Sequence, residues 1–287
     1  VTSRTVDTLL EETRRSWDVA TANHNAHKVD QGRWLRDYST LFPEEIELLG
    51  PIAGCDLLHL CCNSGQDTIS LVRHHGVRAV GVDFSSVAVE TARNFAREAA
   101  AEIELIESEV SAFLDRDRRS FDIVFGSYGF LPWMLDLPRV LRGIADHLRP
   151  GGRFVVVEFH PLAWSFDEHF QLADPYFAPN RLFSAPVSDY VGEAGGALSP
   201  SGHRDAAAAA NPHPAHAAQH TVADIVSAAL DAGLRLEALR EWSYANGCRI
   251  HRGLVAQGAS GLAARRFAAP AGVPAIPLML GMVAQKV

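Results

Sequence analysis

Apolar positions recur at helical spacing near the start of the chain. Val6, Leu9, Leu10, Thr13 and Trp17 fall along one face of residues 4–24, with Glu11, Glu12, Arg14 and Arg15 on the other, a pattern that predicts an amphipathic helix. A second, short helix is expected over 31–38, and Pro43, Glu44 and Glu45 supply the proline and early acids of a third helix start. From residue 55 the pattern changes to short apolar runs separated by amphipathic segments. Strands are expected at 56–61, 78–83, 102–106, 121–127 and 153–159, and helices at 67–75, 86–99, 110–115 and 137–148, the last stopped by Arg149, Pro150, Gly151 and Gly152. This alternation is the signature of an α/β fold with helices on both faces of a parallel sheet. Right-handed crossovers make such a sheet doubly wound and put ligands at the carboxyl ends of its strands.

Beyond Glu158 the regularity stops for about sixty residues, to Gln219, in a stretch rich in aromatics, Pro, Gly and Ala that includes five consecutive alanines at 206–210. A connection this long inside one domain is usually functional or disordered. A helix is expected again at 221–232, with Gly233 as its stop, then a strand at 234–241. A last strand at 278–284 is apolar on both faces, as deep in a sheet, and 255–277 reads as a flexible connection. The total is a seven-stranded, mostly parallel sheet in a single domain. Residues 1–50 form an N-terminal helical segment, 51–160 the core, 161–220 an insertion and 221–287 the C-terminal helix and last strands.

Composition narrows the partners. With 47% hydrophobic residues and a mean hydropathy of zero, the chain has enough apolar content for a large core, and no apolar run reaches the roughly 18 residues of a membrane span. Its formal charge of −8 argues against a phosphate-dominated grip on nucleic acid, so a small molecule is the expected partner. Lys28 and Lys286 are the only lysines and alanine abounds, the usage of a GC-rich bacterial genome. Cys55, Cys61, Cys62 and Cys248 form no CxxC pair; reduced thiols and a cytoplasmic location are expected. The histidines at 213, 216 and 220 are interrupted by Pro212 and Pro214 and lack a completing acid or Cys, so no metal site is expected.

The chemistry concentrates between residues 57 and 83. One apolar run ends in Cys61, Cys62, Asn63, Ser64 and Gly65, and the next ends in Asp83, eighteen residues past Gly65. Small and turn-tolerant residues let backbone N–H groups approach a ligand, and the helix that follows presents its amino end. Asp83 can accept both hydroxyls of a ribose or simply cap the next helix, with Phe84 beside the base and Ser85 as a capping hydroxyl. A nicotinamide-dependent oxidoreductase would also explain this turn and acid, although the glycine spacing is wrong for it. A cofactor-binding subunit without turnover is a further alternative.

The ordered set of motifs resembles the class I S-adenosylmethionine-dependent methyltransferases over roughly residues 30–287, with a Rossmann-like fold. LLHLCCNSGQDT resembles the glycine-rich first motif, GVDFS the ribose-binding acid, ESEV the adenine-contacting segment, FDIVFGSYG the fourth strand, and LRPGGRFVVVEFHP the Pro-Gly-Gly turn and fifth strand. It is most similar to a bacterial small-molecule branch with Glu158-Phe159-His160-Pro161 after the fifth strand, an aromatic insertion, and a histidine, here His220, before the next helix. His59, Cys61 and Asn63 depart from the family's acid and two glycines. The resemblance implies S-adenosyl-L-methionine as cofactor and S-adenosyl-L-homocysteine as product. Cys61, Cys62, Asn63, Gly65, Gln66, Asp67, Asp83, Phe84, Ser85, Glu109, Val110 and Ser127 would surround that cofactor.

In the resembling family the N-terminal extension packs over the cofactor as a lid. Here it carries His24, His27, Trp34 and Tyr38, of which Tyr38 is the expected contact. Tyr128 would face the sulfonium or serve as a packing aromatic. His160 would act as general base, substrate ligand or structural histidine. Trp133, His160, Trp164, Tyr176 and His220 would line the pocket of a small N- or O-nucleophilic acceptor, in specialised metabolism, in a monomer or homodimer.

Overall fold

The computed structural model describes residues 5–179 and 181–287; Arg4, the first residue of the expected N-terminal helix, lies outside the described residues. Helix α1 (Val6–Ala26) starts where the Thr5 side chain accepts the N–H of Thr8. Helix α2 is shorter than its pattern (Gln31–Trp34), because 35–37 close into turns. Helix α3 (Pro43–Leu49) begins with Glu45 accepting the Phe42 N–H at 2.5 Å.

The core follows the periodicity closely. Strands β1 (Asp56–Leu60), β2 (Arg78–Asp83), β3 (Ile103–Glu107), β4 (Phe121–Ser127) and β5 (Leu148–Phe159) alternate with helices α4 (Gln66–His75), α5 (Ser86–Ala99), α6 (Val110–Arg116) and α7 (Leu137–His147). β5 starts earlier than the apolar run implied, since Leu148 already pairs with Phe121 before the register shifts across the Pro-Gly-Gly turn. In the insertion, β6 (Leu182–Ala185) and β7 (Ala215–Ala218) pair antiparallel on either side of α8 (Tyr190–Glu193). Then come α9 (Val222–Asp231), β8 (Leu234–Trp242), β9 (Tyr244–Asn246), β10 (Val255–Ala256), α10 (Gly261–Ala264), β11 (Arg266–Ala268) and β12 (Met279–Lys286).

Seven strands form one sheet in the order β3-β2-β1-β4-β5-β12-β8. β1 to β5 run parallel, and β12 is antiparallel to both its neighbours. Successive residues point to opposite faces: Leu58, Leu60, Val80, Val82, Val124, Phe154 and Val156 join one buried layer. Their neighbours Leu57, Ala79, Ile123, Phe125, Val155 and Val157 join the other. The expectation of a flexible connection over 255–277 is corrected. Within it β10 and β11 make a small sheet with β9, and Phe267 is buried against Leu254 and Met279. Reversal of the sheet at β4 and β1 opens a crevice at the strand ends, where ligands sit in folds of this kind.

Candidate active site

The turn after β1 holds its shape by backbone conformation and one carboxylate. Cys61 (φ 54°) and Asn63 (φ 46°) both lie in the left-handed region, at a cost of roughly 1–2 kcal/mol each. Gly65 (φ 69°) sits so close to α5 that a Cβ there would come within 2.9 Å of the Ala92 Cβ. Asp83, 6% exposed, accepts N–H groups from Asn63 (2.8 Å) and Ser85 (2.9 Å), so it joins the two strand-end turns. Burial pushes its carboxyl up to about 6. Ser85 caps α5 and donates to Asp18 of α1 (2.7 Å), which draws the N-terminal helix over this end of the sheet.

His59 stands where the resembling family has an acid. Its Nδ1 lies 2.8 Å from the Thr68 hydroxyl and its Nε2 3.3 Å from the Ser127 hydroxyl, so it ties β1 to α4 and β4. Burial lowers it to about 3, which leaves the ring neutral. Glu158, buried at the end of β5, accepts from the N–H groups of Gly129 (2.7 Å), Leu131 (3.0 Å) and Phe159 (2.7 Å). Burial raises it to about 7. It anchors the loop after β4, where Tyr128 takes a strained φ of 28°.

Two adjoining cavities open above these turns. The smaller, about 100 Å³, is lined by Cys61, Asp83, Phe84, Glu109 and Val110. The larger, about 510 Å³, is walled by residues of the insertion such as Phe183, Val187, Tyr190 and Val191, with Trp164 and His220. Trp17, Asn63, Tyr128, Gly129, Trp133 and Tyr190 line both. The charged groups of the larger cavity gather beside the first turn. Asp67 accepts from Thr40 (2.6 Å) and is raised by burial, Lys28 is lowered by burial to about 8, and Arg265 lies over the Phe42 ring. A zwitterion at one end and a nucleoside at the other match this distribution of charge, so the residues present fit S-adenosylmethionine.

Of the residues singled out from sequence, Cys62, Asn63, Gln66, Asp67, Tyr128, Trp133, Trp164 and His220 line the larger cavity, and Cys61, Asp83, Phe84, Glu109 and Val110 the smaller. Glu109 also caps α6 by accepting the Ala112 N–H (2.7 Å). Gly65, Ser85 and Ser127 line neither cavity. Three expectations are corrected. His160 lines neither cavity: its Nδ1 accepts the Leu162 N–H (3.1 Å) and its Nε2 meets Glu241 (2.8 Å), so both ring nitrogens serve the turn after β5. Tyr38 is 59% exposed and stacks on Trp34. The Tyr176 hydroxyl accepts the Val222 N–H (3.0 Å) at the start of α9, outside both cavities.

Sequence reading missed Trp17, Lys28, Thr40, Glu158, Tyr190, Asn246 and Arg265 as cavity residues, and it placed His24 in the lid without making it the expected contact. Lys28 carried a signal, as one of two lysines in an arginine-rich chain. The others are brought in by contacts between distant segments. Among the described residues no group of His, Cys, Asp and Glu is arranged to hold a metal, and no helix is long and apolar enough to cross a membrane.

The model of a methyltransferase domain family matches residues 57–152. The demethylmenaquinone methyltransferase of Lactococcus lactis is 32% identical over 148 residues, which is 50% of this chain and 58% of that protein. The 2-phytyl-1,4-naphthoquinone methyltransferase of Nostoc punctiforme is 30% identical over 148 residues, 49% and 60% of the two chains. The chain thus spans little more than half the length of these curated relatives. Among solved structures, an S-adenosylmethionine-dependent methyltransferase from Mesorhizobium loti superposes with a TM-score of 0.52 at 21% identity, over 88% of this chain and all of the other. The geranyl diphosphate C-methyltransferase of Streptomyces coelicolor gives 0.50 at 14% identity, over 85% and 77%. At these identities the likeness is one of fold.

Proposed function

We propose that the protein is a class I, S-adenosylmethionine-dependent methyltransferase that methylates a small, largely apolar acceptor; residues 57–152 match the model of a methyltransferase domain family. The observation that carries this reading is the junction of the two cavities. The turn after β1 and Asp83 adjoin an apolar chamber through one shared set of residues, Trp17, Asn63, Tyr128, Gly129, Trp133 and Tyr190.

When bound, the cofactor supplies a methyl group made electrophilic by sulfonium. Everything else falls to the chain. Asp83 takes the ribose hydroxyls in charge-assisted bonds, Phe84 and Val110 pack the adenine, and Lys28, Arg265 and Asp67 hold the amino-acid end. Trp17, Trp133 and Tyr190 keep water from the reacting atoms, so alignment and exclusion of water supply most of the acceleration. The acceptor is a nucleophilic N or O on a compact apolar frame, a shape suited to the chamber walls. Ring systems of the quinone type named in the two relatives share that apolar frame. The net charge of −8 disfavours nucleic acid as acceptor, and the reading places the protein in bacterial specialised metabolism, in the cytoplasm, as a monomer or homodimer.

Calorimetry with S-adenosylhomocysteine and with NAD tests the reading. S-adenosylhomocysteine is expected to bind and NAD not to; binding of NAD alone would transfer the site to oxidoreductase chemistry.

A further inference from the structure

Resting on the methyl-transfer reading above, we infer that His24 is the residue that receives the acceptor's proton, and that the acceptor group is a hydroxyl on an apolar frame. His24 lines the larger cavity from α1 and is 3% exposed. Its ring stands 4.1 Å from the Tyr190 ring and 6.3 Å from the Trp17 ring, centroid to centroid. Both of those residues line the two cavities, so His24 stands beside the junction where the transferable methyl and the nucleophile must meet.

The hydrogen bond of His24 settles its tautomer. Nε2 lies 2.9 Å from the Ser188 carbonyl oxygen, which only accepts, so Nε2 carries the hydrogen and Nδ1 keeps a lone pair. Among the described residues no hydrogen bond uses Nδ1. Burial, opposed by the Ser188 bond, lowers the ring to about 4, which keeps it neutral at neutral pH. Neutrality matters beside a site that takes a sulfonium, because a second cation there would be repelled.

Trp17, which lines both cavities, supplies the complement: its Nε1–H is buried without a hydrogen-bond partner among the described residues. A group that donates to Nδ1 and accepts from Nε1–H satisfies both. A hydroxyl does so and retains a second lone pair for the methyl carbon, whereas a neutral amine nitrogen has a single lone pair and would be left with none to attack. Carboxylates and ketones have no proton for Nδ1. In the transfer the hydroxyl oxygen forms a bond to the methyl carbon, the carbon–sulfur bond breaks with its electron pair passing to sulfur, and the O–H proton passes to Nδ1. An oxygen that has gained a methyl while still protonated is a strong acid, so even a weakly basic imidazole takes its proton downhill.

The test uses the full chain with 15N-labelled histidine, and 1-naphthol and 1-naphthylamine as hydroxyl and amine probes. Ring signals of His24, identified by their loss in His24→Gln, are expected to show protonated Nε2 and bare Nδ1 from about pH 5 to 8. The Nδ1 signal should shift when 1-naphthol is added to protein saturated with S-adenosylhomocysteine. A protonated Nδ1, or one indifferent to the naphthol, overturns the assignment. With methyl-labelled S-adenosylmethionine the label is expected on the naphthol oxygen. Gln keeps a donor towards Ser188 and an acceptor oxygen but takes no proton, so His24→Gln should hold KM and lower kcat about a hundredfold. Equal turnover in that variant, or transfer to the naphthylamine but not to the naphthol, overturns it as well. Failure of the wild type to bind S-adenosylhomocysteine sinks the methyltransferase reading and this one with it; binding combined with any contrary result above sinks His24 alone.

Discussion

The role proposed for Asp83 and its part in folding have pH dependences that run in opposite directions. As the proposed ligand for ribose hydroxyls it must be ionised, and burial raises it to about 6. Affinity for S-adenosylhomocysteine is therefore expected to weaken as pH falls through about 6, a dependence that calorimetry should find abolished in Asp83→Asn. For folding the sign reverses: an acid raised in the folded state binds more protons there than in the unfolded chain, so this group favours the fold as pH falls from about 6 towards 4. Asp83→Ala should weaken S-adenosylhomocysteine about tenfold or more, roughly 1.4 kcal/mol; an unchanged calorimetric affinity would remove the ribose assignment. Glu158 acts on protein rather than ligand. Replacing it with Gln turns one acceptor oxygen into a donor facing buried N–H groups, at an expected cost of about 1–3 kcal/mol in urea unfolding. The residue scale is also where sequence reading left most open. For His160 it offered base, substrate ligand or structural histidine, because a side chain's partners, here Leu162 and Glu241, are set by neighbours that spacing does not display.

Helix α1 becomes part of the site through its contacts with the insertion. His27 meets Asp189 at 2.7 Å, His216 meets Glu12 at 2.7 Å, and Asn23 exchanges two hydrogen bonds with Ala209 inside the alanine run. The periodicity of α1 predicted a helix but not this partner, because an amphipathic stripe says that a face is buried and not against what. His27 is raised: burial opposes the charge, but Asp189 and the Arg204 carbonyl outweigh it, with Asp205 adding attraction. A raised histidine contributes stability that is complete below its unfolded pKa and is lost as pH rises through the folded one. Hydrogen exchange corrected for intrinsic rates should accordingly show the C-terminal end of α1 less protected as pH rises above about 6.5. Asp189→Asn should give the low-protection behaviour at every pH; protection equal to wild type would show that the pair does not fasten the helix.

At the scale of the whole molecule the sheet decides where everything else can go. β12 inserts antiparallel between β5 and β8, and the β9 segment that follows β8 carries Asn246 to the cavity wall. The fit is tight at Gly281, where a Cβ would meet Leu48 at 2.5 Å and Trp242 at 2.7 Å. Gly281→Val should therefore lower stability by about 1–3 kcal/mol, visible as a lower urea midpoint with an unchanged slope. A midpoint equal to wild type would show that the sheet gives way there.

By itself the sequence determined the parallel core and the acid–turn pair. β2 and β4 have the predicted bounds, because buried parallel strands read as short apolar runs, and Cys61 to Asp83 mark the first crevice because turn residues and a strand-end acid are local features. Tertiary structure decided which polar groups join Asn63, Asp67 and Asp83 in facing the cavities. Trp17, His24 and Lys28 come from α1 and the residues just after it, Arg265 comes from near the other end of the chain, and the β6–β7 hairpin pairs residues about thirty apart through a loop with no repeating pattern. Periodicity reports whether a residue is buried; which neighbour meets it depends on chain closure over long separations, and that closure is where the larger cavity is made.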